Sequence, residues 1–181
     1  KDPAVAEAIR HAQPDLICVV AFRILPESLF TIPRLGSFNL HGSLLPKYRG
    51  AAPINWAIIN GERETGVTTF FLKQKVDTGN IILRRAIPIG PELTAGQLHD
   101  VMMHVGAAAV VDTLRMIENG SAEPLPQNDD EATPAPKIFR EDCQIDWGRT
   151  AVQLHRFIHG LSPHPGAFTT HNGRVLKLFR A

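Results

Sequence analysis

The sequence is poor in cysteine and has no long apolar runs. Cys18 and Cys143 are the only cysteines in 181 residues, which is too few for a disulfide framework and lacks the spacing of a metal site. Cys18 lies in an apolar run, so we expect a small buried hydrophobic residue that stays reduced in the cytoplasm. No stretch approaches the roughly 20 apolar residues that a membrane span needs, and none resembles a signal peptide. We therefore expect a cytoplasmic protein without membrane contact.

The chain also has little net charge, at +1, which excludes a strong overall field for nucleic acid. The charge is not evenly spread, however. From residue 139 onward there are six basic and three acidic residues, which leaves 13 basic and 15 acidic residues before that point. The net charge thus changes from −2 to +3 along the chain, which favours an acidic partner for the C-terminal part. Chance scatter of surface charge is the alternative.

The apolar pattern predicts an α/β fold. Residues 16–22 form a continuous apolar run of strand length, which is typical of a strand buried on both faces in a parallel sheet covered by helices. Thr94 and Gln97 have the spacing of a capping box, and the helix that they begin is expected to end at Asn119-Gly120. Further helices are predicted over 3–12, 53–60 and 150–159, and further strands over 37–41, 66–72, 81–89, 167–171 and 175–179.

Composition divides the chain into three parts: a first unit over 1–120, a linker over 121–138 rich in Pro, Asp, Glu and Asn, and a second unit from 139 to 181. Asn172-Gly173 predicts a hairpin in the second unit. Because the chain begins at Lys1 and ends in an unfinished strand pattern, we expect a fragment cut at both ends. We expect a monomer.

Asn39, His41 and Asp77 are the candidate catalytic residues. Asn39 and His41 lie two apart near the end of a predicted strand, so their side chains are expected on one side of it. An amide and an imidazole can stabilise an oxyanion, and a carboxylate can orient the imidazole or accept a proton through water. The alternative is structural: Asn39 caps a turn, His41 is a core histidine and Asp77 caps a loop.

Other reactive patterns are weaker. Ser43 lies beside His41 but lacks a G-x-S-x-G elbow, so we expect it to contact a ligand rather than act as a nucleophile. His155 and His159 lie four apart on a helix, yet no third metal ligand is evident, so no metal is expected. Residues 47–49 (Lys-Tyr-Arg) form a basic patch that either holds a carboxylate or phosphate or is a solvated loop.

The segment from Phe38 to Ile54 resembles the signature of the 10-formyltetrahydrofolate-dependent formyltransferases. Asn60-Gly61-Glu62, the segment over 64–68, and Asp77-Thr78-Gly79 occur in the same order as in that family. The resemblance extends over nearly the whole chain. It implies a Rossmann-like formyltransferase domain with a parallel-rich sheet, followed by part of an OB-type β-barrel that helps to hold tRNA.

The resemblance also implies roles for individual residues. Asn39, His41 and Asp77 match the catalytic positions of the family, and Ser43, Leu44, Leu45 and Pro46 match the segment that lines the tetrahydrofolate pocket. The co-substrate would be 10-formyltetrahydrofolate, with no metal. Residues 21–26 are one residue shorter than the usual family pattern and lack its glycine, which implies a different shape for one wall of that pocket.

Within the family the likeness is greatest to members that formylate methionyl initiator tRNA for translation initiation. It depends on Gly50 to Ile54, on the Asp77 loop, and on Ile145-Asp146-Trp147 followed by a helix. A sugar-nucleotide amine is the alternative acceptor. A folate-binding or tRNA-binding fragment without catalysis is a further alternative, and a hydrolase that uses water as the acceptor is another.

Overall fold

The computed structural model describes residues 3–21 and 24–181, and it confirms the α/β class. In the described ranges none of the helices has the length and apolar character required to cross a membrane. The described residues form five α-helices: α1 (Pro3–Ala12), α2 (Glu27–Phe30), α3 (Pro53–Ile59), α4 (Ala95–Glu118) and α5 (Ala151–Leu161). The same part of the chain contains eight strands: β1 (Ile17–Val20), β2 (Ser37–His41), β3 (Arg49–Gly50), β4 (Glu64–Phe71), β5 (Ile81–Pro88), β6 (Pro134–Ala135), β7 (Ala167–His171) and β8 (Arg174–Leu178).

The central sheet has the strand order β1-β2-β4-β5. The expected parallel arrangement occurs between β1 and β2, whereas β2 and β4 pair antiparallel, as do β4 and β5. The β4–β5 pair is antiparallel because the short 72–80 loop joins the two strands as a hairpin. This loop leaves β4 beside the start of β2, and it carries Asp77.

Cys18 is exposed rather than buried, so that prediction is wrong. Val20 is on the same face of β1 and is also exposed. β1 is an edge strand, and α1 has no buried residue, so this face of β1 has little cover. Of the predicted 16–22 strand, the structure has only Ile17–Val20, and Phe22 lies outside the described residues, as does Arg23.

The main core lies between the sheet and α3 and α4. Its buried members include Ile58, Val67, Ile87, Leu98 and Met102. The predicted capping box is confirmed: the Thr94 side chain accepts a hydrogen bond from the Gln97 amide, and the Gln97 side chain accepts one from the Thr94 amide. This cap fixes the start of α4, which then covers the sheet beside the end of β2.

The second unit consists of α5 and the predicted β7–β8 hairpin around its own small core, which includes Cys143, Ile145 and Phe157. It docks on α3, where the Asn55 side-chain amide donates to the Gly160 carbonyl at 2.7 Å. Residues 121–136, which belong to the expected 121–138 linker, pack against the first unit. Leu125 pairs with Ile81, and β6 pairs with β3.

Candidate active site

Asn39 and His41 lie on β2 and line one side of a cavity of about 1210 Å³. Asp77 lines the same cavity, so the structure brings together the three residues that the sequence singled out. The 72–80 loop leaves β4 beside the start of β2, where the Leu72 amide donates to the Ser37 carbonyl, and it folds back so that Asp77 reaches His41 near the other end of β2. The cavity is therefore lined by an amide, an imidazole and a carboxylate.

His41 is fixed through one of its ring nitrogens. Nε2 lies 2.7 Å from the Tyr48 carbonyl oxygen, and because a carbonyl only accepts, Nε2 must carry a proton. Nδ1 lies 3.8 Å from Asp77 Oδ2. The side chains of His41 and Asp77 are only 8% and 12% exposed, so solvent screens their attraction weakly. Nδ1 is thus the ring nitrogen that faces the Asp77 carboxylate.

Asp77 is held by its own backbone and by a neighbouring amide. Its φ of +54° is in the left-handed region, which aspartate tolerates better than most residues do. Asp77 Oδ2 accepts a hydrogen bond of 2.9 Å from the Gly50 amide. The carboxylate therefore contacts β3 and His41 together.

Gln127 supports this loop from the 121–136 segment. Its side-chain nitrogen donates to the carbonyl oxygens of Asp77, at 2.9 Å, and Gly79, at 2.8 Å. Its side-chain oxygen accepts from Arg49 Nε at 3.0 Å and Arg49 Nη2 at 2.7 Å. Arg49 Nη2 also pairs with Asp129 at 2.8 Å, and this guanidinium lowers the pKa of the Asp129 carboxyl. Sequence reasoning missed Gln127, because nothing in its local pattern distinguishes it from the polar residues around it.

Asn39 has a free amide group. It is half-buried on β2, and none of the described residues forms a hydrogen bond with its side chain. A partly buried amide without a protein partner is available to a ligand in the cavity. This is the arrangement that an oxyanion-stabilising donor requires before its substrate arrives.

The four residues Ser43 to Pro46 lie behind the cavity wall and not among the residues that line it. Ser43, Leu45 and Pro46 are buried, and the Ser43 hydroxyl donates to the Lys47 carbonyl at 2.6 Å. Thr68 fixes the same turn, since its hydroxyl donates to the Ser43 carbonyl and accepts from the Leu45 amide. These four residues form a turn that packs behind His41, on the side away from the cavity. That they contact folate remains a prediction.

The Lys-Tyr-Arg segment over 47–49 is not a free basic patch. Lys47 is exposed, but Arg49 is only 14% exposed and is occupied by Gln127 and Asp129. Tyr48 is buried, and its hydroxyl donates to Glu62 at 2.7 Å. Burial raises the pKa of Tyr48 to about 12. Tyr48 and Arg49 therefore make contacts inside the protein, and the Tyr48 carbonyl oxygen holds His41 in place.

The remaining wall of the cavity is largely apolar. Its lining residues from β1 and the following segment include Val19, Ala21 and Leu25, and α4 adds Met102 and Val110. No local sequence pattern indicated that the 24–25 segment and α4 would line the same cavity. An apolar wall opposite a few polar groups is typical of small-molecule sites.

Comparison with known proteins identifies the family. The formyl transferase model matches residues 1–114, and the formyl transferase C-terminal domain model matches residues 137–181. The chain is 54% identical over 181 residues to methionyl-tRNA formyltransferase of Chlorobium phaeovibrioides, and the match covers all of this chain and 57% of that protein. The chain thus spans little more than half the length of this curated relative.

Solved structures show the same fold. HypX from Aquifex aeolicus, in complex with tetrahydrofolic acid, matches with a TM-score of 0.83 at 25% identity, over 97% of this chain and 30% of HypX. Methionyl-tRNA formyltransferase from Clostridium thermocellum matches with a TM-score of 0.75 at 20% identity, over 95% of this chain and 74% of that protein. The sequence match, the shared fold and the site geometry agree, and the chain belongs to the formyl transferase family.

Proposed function

We propose that this chain carries the catalytic centre of an enzyme that transfers the formyl group of 10-formyltetrahydrofolate to the α-amine of methionyl initiator tRNA. The observation that carries the proposal is the convergence of the free Asn39 amide and the His41–Asp77 pair on one cavity. The relative from Chlorobium phaeovibrioides, at 54% identity, supports the choice of acceptor. The proposal includes a monomer that acts in the cytoplasm.

In the first step, the amine nitrogen attacks the formyl carbon and the carbonyl electron pair moves onto oxygen. Asn39 donates an N–H to this oxyanion, and His41, protonated at Nδ1, donates a second. Each well-placed donor of this kind contributes on the order of 3 kcal/mol to transition-state stabilisation. The Asp77 carboxylate stabilises the positive charge of His41 during this step.

In the second step, the bond between the formyl carbon and the folate nitrogen breaks, and the electron pair stays on that nitrogen. The attacking amine must lose a proton, and the leaving nitrogen must gain one. Asp77 orients the water that carries this proton from the amine to the leaving nitrogen, and His41 keeps its own proton throughout. The products are a formylated amine and tetrahydrofolate, and no redox change occurs.

The cavity suits a folate co-substrate in its chemistry. Its volume of about 1210 Å³ and its apolar wall at Val19, Ala21 and Leu25 accommodate a planar ring system, while the three polar groups lie at the reacting end. The HypX structure with tetrahydrofolic acid supports a folate ligand for this fold. No part of the proposed transfer needs a metal ion, because the formyl group is already activated on nitrogen.

The experiment is a transfer assay with labelled 10-formyltetrahydrofolate and three acceptors: methionyl initiator tRNA, an amino sugar nucleotide, and water alone. The complete gene product is assayed beside the 181-residue chain. Formyl-methionyl-tRNA from the complete protein supports the proposal. Label on the sugar amine would move the function to the alternative acceptor, and release of formate alone would indicate a hydrolase. Folate binding without any product would indicate a binding module.

A further inference from the structure

Glu92, His155 and His159 form a cluster of metal-ligating groups away from the proposed active site. One ligand atom from each residue lies within 4.8 Å of the other two, and His155 Nε2 lies 3.5 Å from Glu92 Oε2. None of the three residues lines the cavity that contains Asn39 and His41. The cluster therefore lies outside the cavity proposed for the transfer.

His159 is the buried member of the cluster. It is 1% exposed, and its Nδ1 atom has no hydrogen-bond partner among the described residues. Its Nε2 atom has a single long contact, at 3.5 Å, with the Ala181 amide. Buried polar atoms nearly always have a partner, and a bound metal ion would supply one for the His159 ring.

The helix and the turn before α4 bring the groups together. His155 and His159 are four residues apart on α5, so their side chains are neighbours on one face, and the ring centroids are 4.0 Å apart. Glu92 reaches them from the turn that leads into the Thr94 cap. The third ligand that the sequence did not reveal is thus supplied from a segment more than sixty residues away along the chain.

We propose that Glu92, His155 and His159 bind a divalent transition-metal ion such as Zn²⁺. Two imidazoles and one carboxylate are a donor set that zinc accepts in proteins. Bonds of about 2.1 Å in tetrahedral geometry place ligand atoms roughly 3.4 Å apart, so the cluster must contract slightly. The Glu92 side chain is 74% exposed and can move to achieve this, and solvent can supply the fourth ligand.

The ion would join the two units of the chain. Glu92 belongs to the first unit and α5 to the second, and the same junction already has hydrogen bonds from the Gly96 amide to the Ser162 carbonyl at 2.9 Å and from Asn55 to Gly160. A ligand that binds only the docked arrangement stabilises it in proportion to its occupancy. The site is therefore structural. Greater occupancy by the ion gives more stable packing of α5 against the turn before α4.

The test is thermal unfolding of the complete, tag-free gene product during titration with Zn²⁺. In the wild type we expect the Tm to rise by about 5 °C at a hundredfold excess over the Kd, and to fall back on addition of a chelator. Glu92→Gln and His155→Gln should each weaken binding by at least about tenfold. His104→Gln removes an exposed histidine of α4 outside the cluster and should bind Zn²⁺ like the wild type.

Two features keep the result unambiguous. The test variants change exposed or half-buried residues, so they avoid the folding defect that a change at buried His159 could cause. Co²⁺ in place of Zn²⁺ should give the visible absorption of a tetrahedral site in the wild type and in His104→Gln only. The absence of a Tm rise in the wild type, or an equal rise in all four proteins, would overturn the proposal. Formyl transfer plays no part in these readouts, so the proposed function can fail independently.

Discussion

Gln127 is expected to hold the Asp77 loop in its active arrangement, and Gln127→Leu tests this expectation. The leucine side chain has a similar size but cannot donate to the carbonyl oxygens of Asp77 and Gly79 or accept from Arg49. The four bonds that are lost measure between 2.7 and 3.0 Å, so each has good geometry. The loop would then keep the Asp77 contact with the Gly50 amide as its main support.

The size of the effect follows from the two bonds that reach the loop. At about 1 kcal/mol net for each hydrogen bond, the aligned loop loses about 2 kcal/mol relative to displaced arrangements. If only the aligned loop is active, this corresponds to a reduction in kcat/KM of roughly 10- to 30-fold. The reduction should appear mainly in kcat, because the apolar wall that would bind folate does not include Gln127.

The assay is formyl transfer by the complete gene product, together with hydrogen exchange of the backbone amides over 77–80. We expect faster exchange in this loop as well as the slower rate. Gln144→Leu is the matched control: it makes the same change at an exposed glutamine whose side chain has no hydrogen bond within the described part of the chain. If Gln127→Leu equals Gln144→Leu in rate and in loop exchange, the reasoning about the loop is refuted.

Two further predictions concern stability. The pKa of Tyr48 is about 12 in the folded chain and about 10 when unfolded, so its contribution is complete below pH 10 and is lost as the pH rises through 12. In urea unfolding, the free-energy advantage of the wild type over Tyr48→Phe should therefore shrink by about 1 kcal/mol between pH 8 and pH 11, and an unchanged gap would contradict the burial argument. Gly79→Ala would bring a Cβ into collision with the Phe71 carbonyl oxygen, so we expect a loss of about 2 kcal/mol or more in the free energy of unfolding. Gly90→Ala meets nothing within 4 Å and should change stability by less than about 0.5 kcal/mol, so equal effects of the two changes would count against this placement of the loop.

Local patterns in the sequence predicted the elements well. The Thr94–Gln97 spacing identified the start of α4, and Asn172-Gly173 identified the β7–β8 hairpin. These features depend on residues a few positions apart, so their physics is contained in a short window. The convergence of Asn39 and His41 on one side of β2 is predictable for the same reason.

Contacts between segments far apart in the sequence could not be predicted from local patterns. Gln127 reaches the Asp77 loop because Leu125 pairs with Ile81, and no local pattern encodes that pairing. Glu92 lies beside His155 only because the second unit docks on the first. The exposure of Cys18 has the same origin, since an apolar run indicates a strand but does not tell how much of the strand its neighbours cover.

The central claim is that Asn39, His41 and Asp77 act as one catalytic centre, and the rate of formyl transfer in Asn39→Ala, His41→Ala and Asp77→Asn tests it most directly. Each variant of the complete gene product is assayed with methionyl initiator tRNA at saturating 10-formyltetrahydrofolate, and folate binding is measured in the same samples. We predict turnover lower by on the order of a hundredfold or more in each variant, with folate still bound. Turnover near that of the wild type in all three variants would contradict the account.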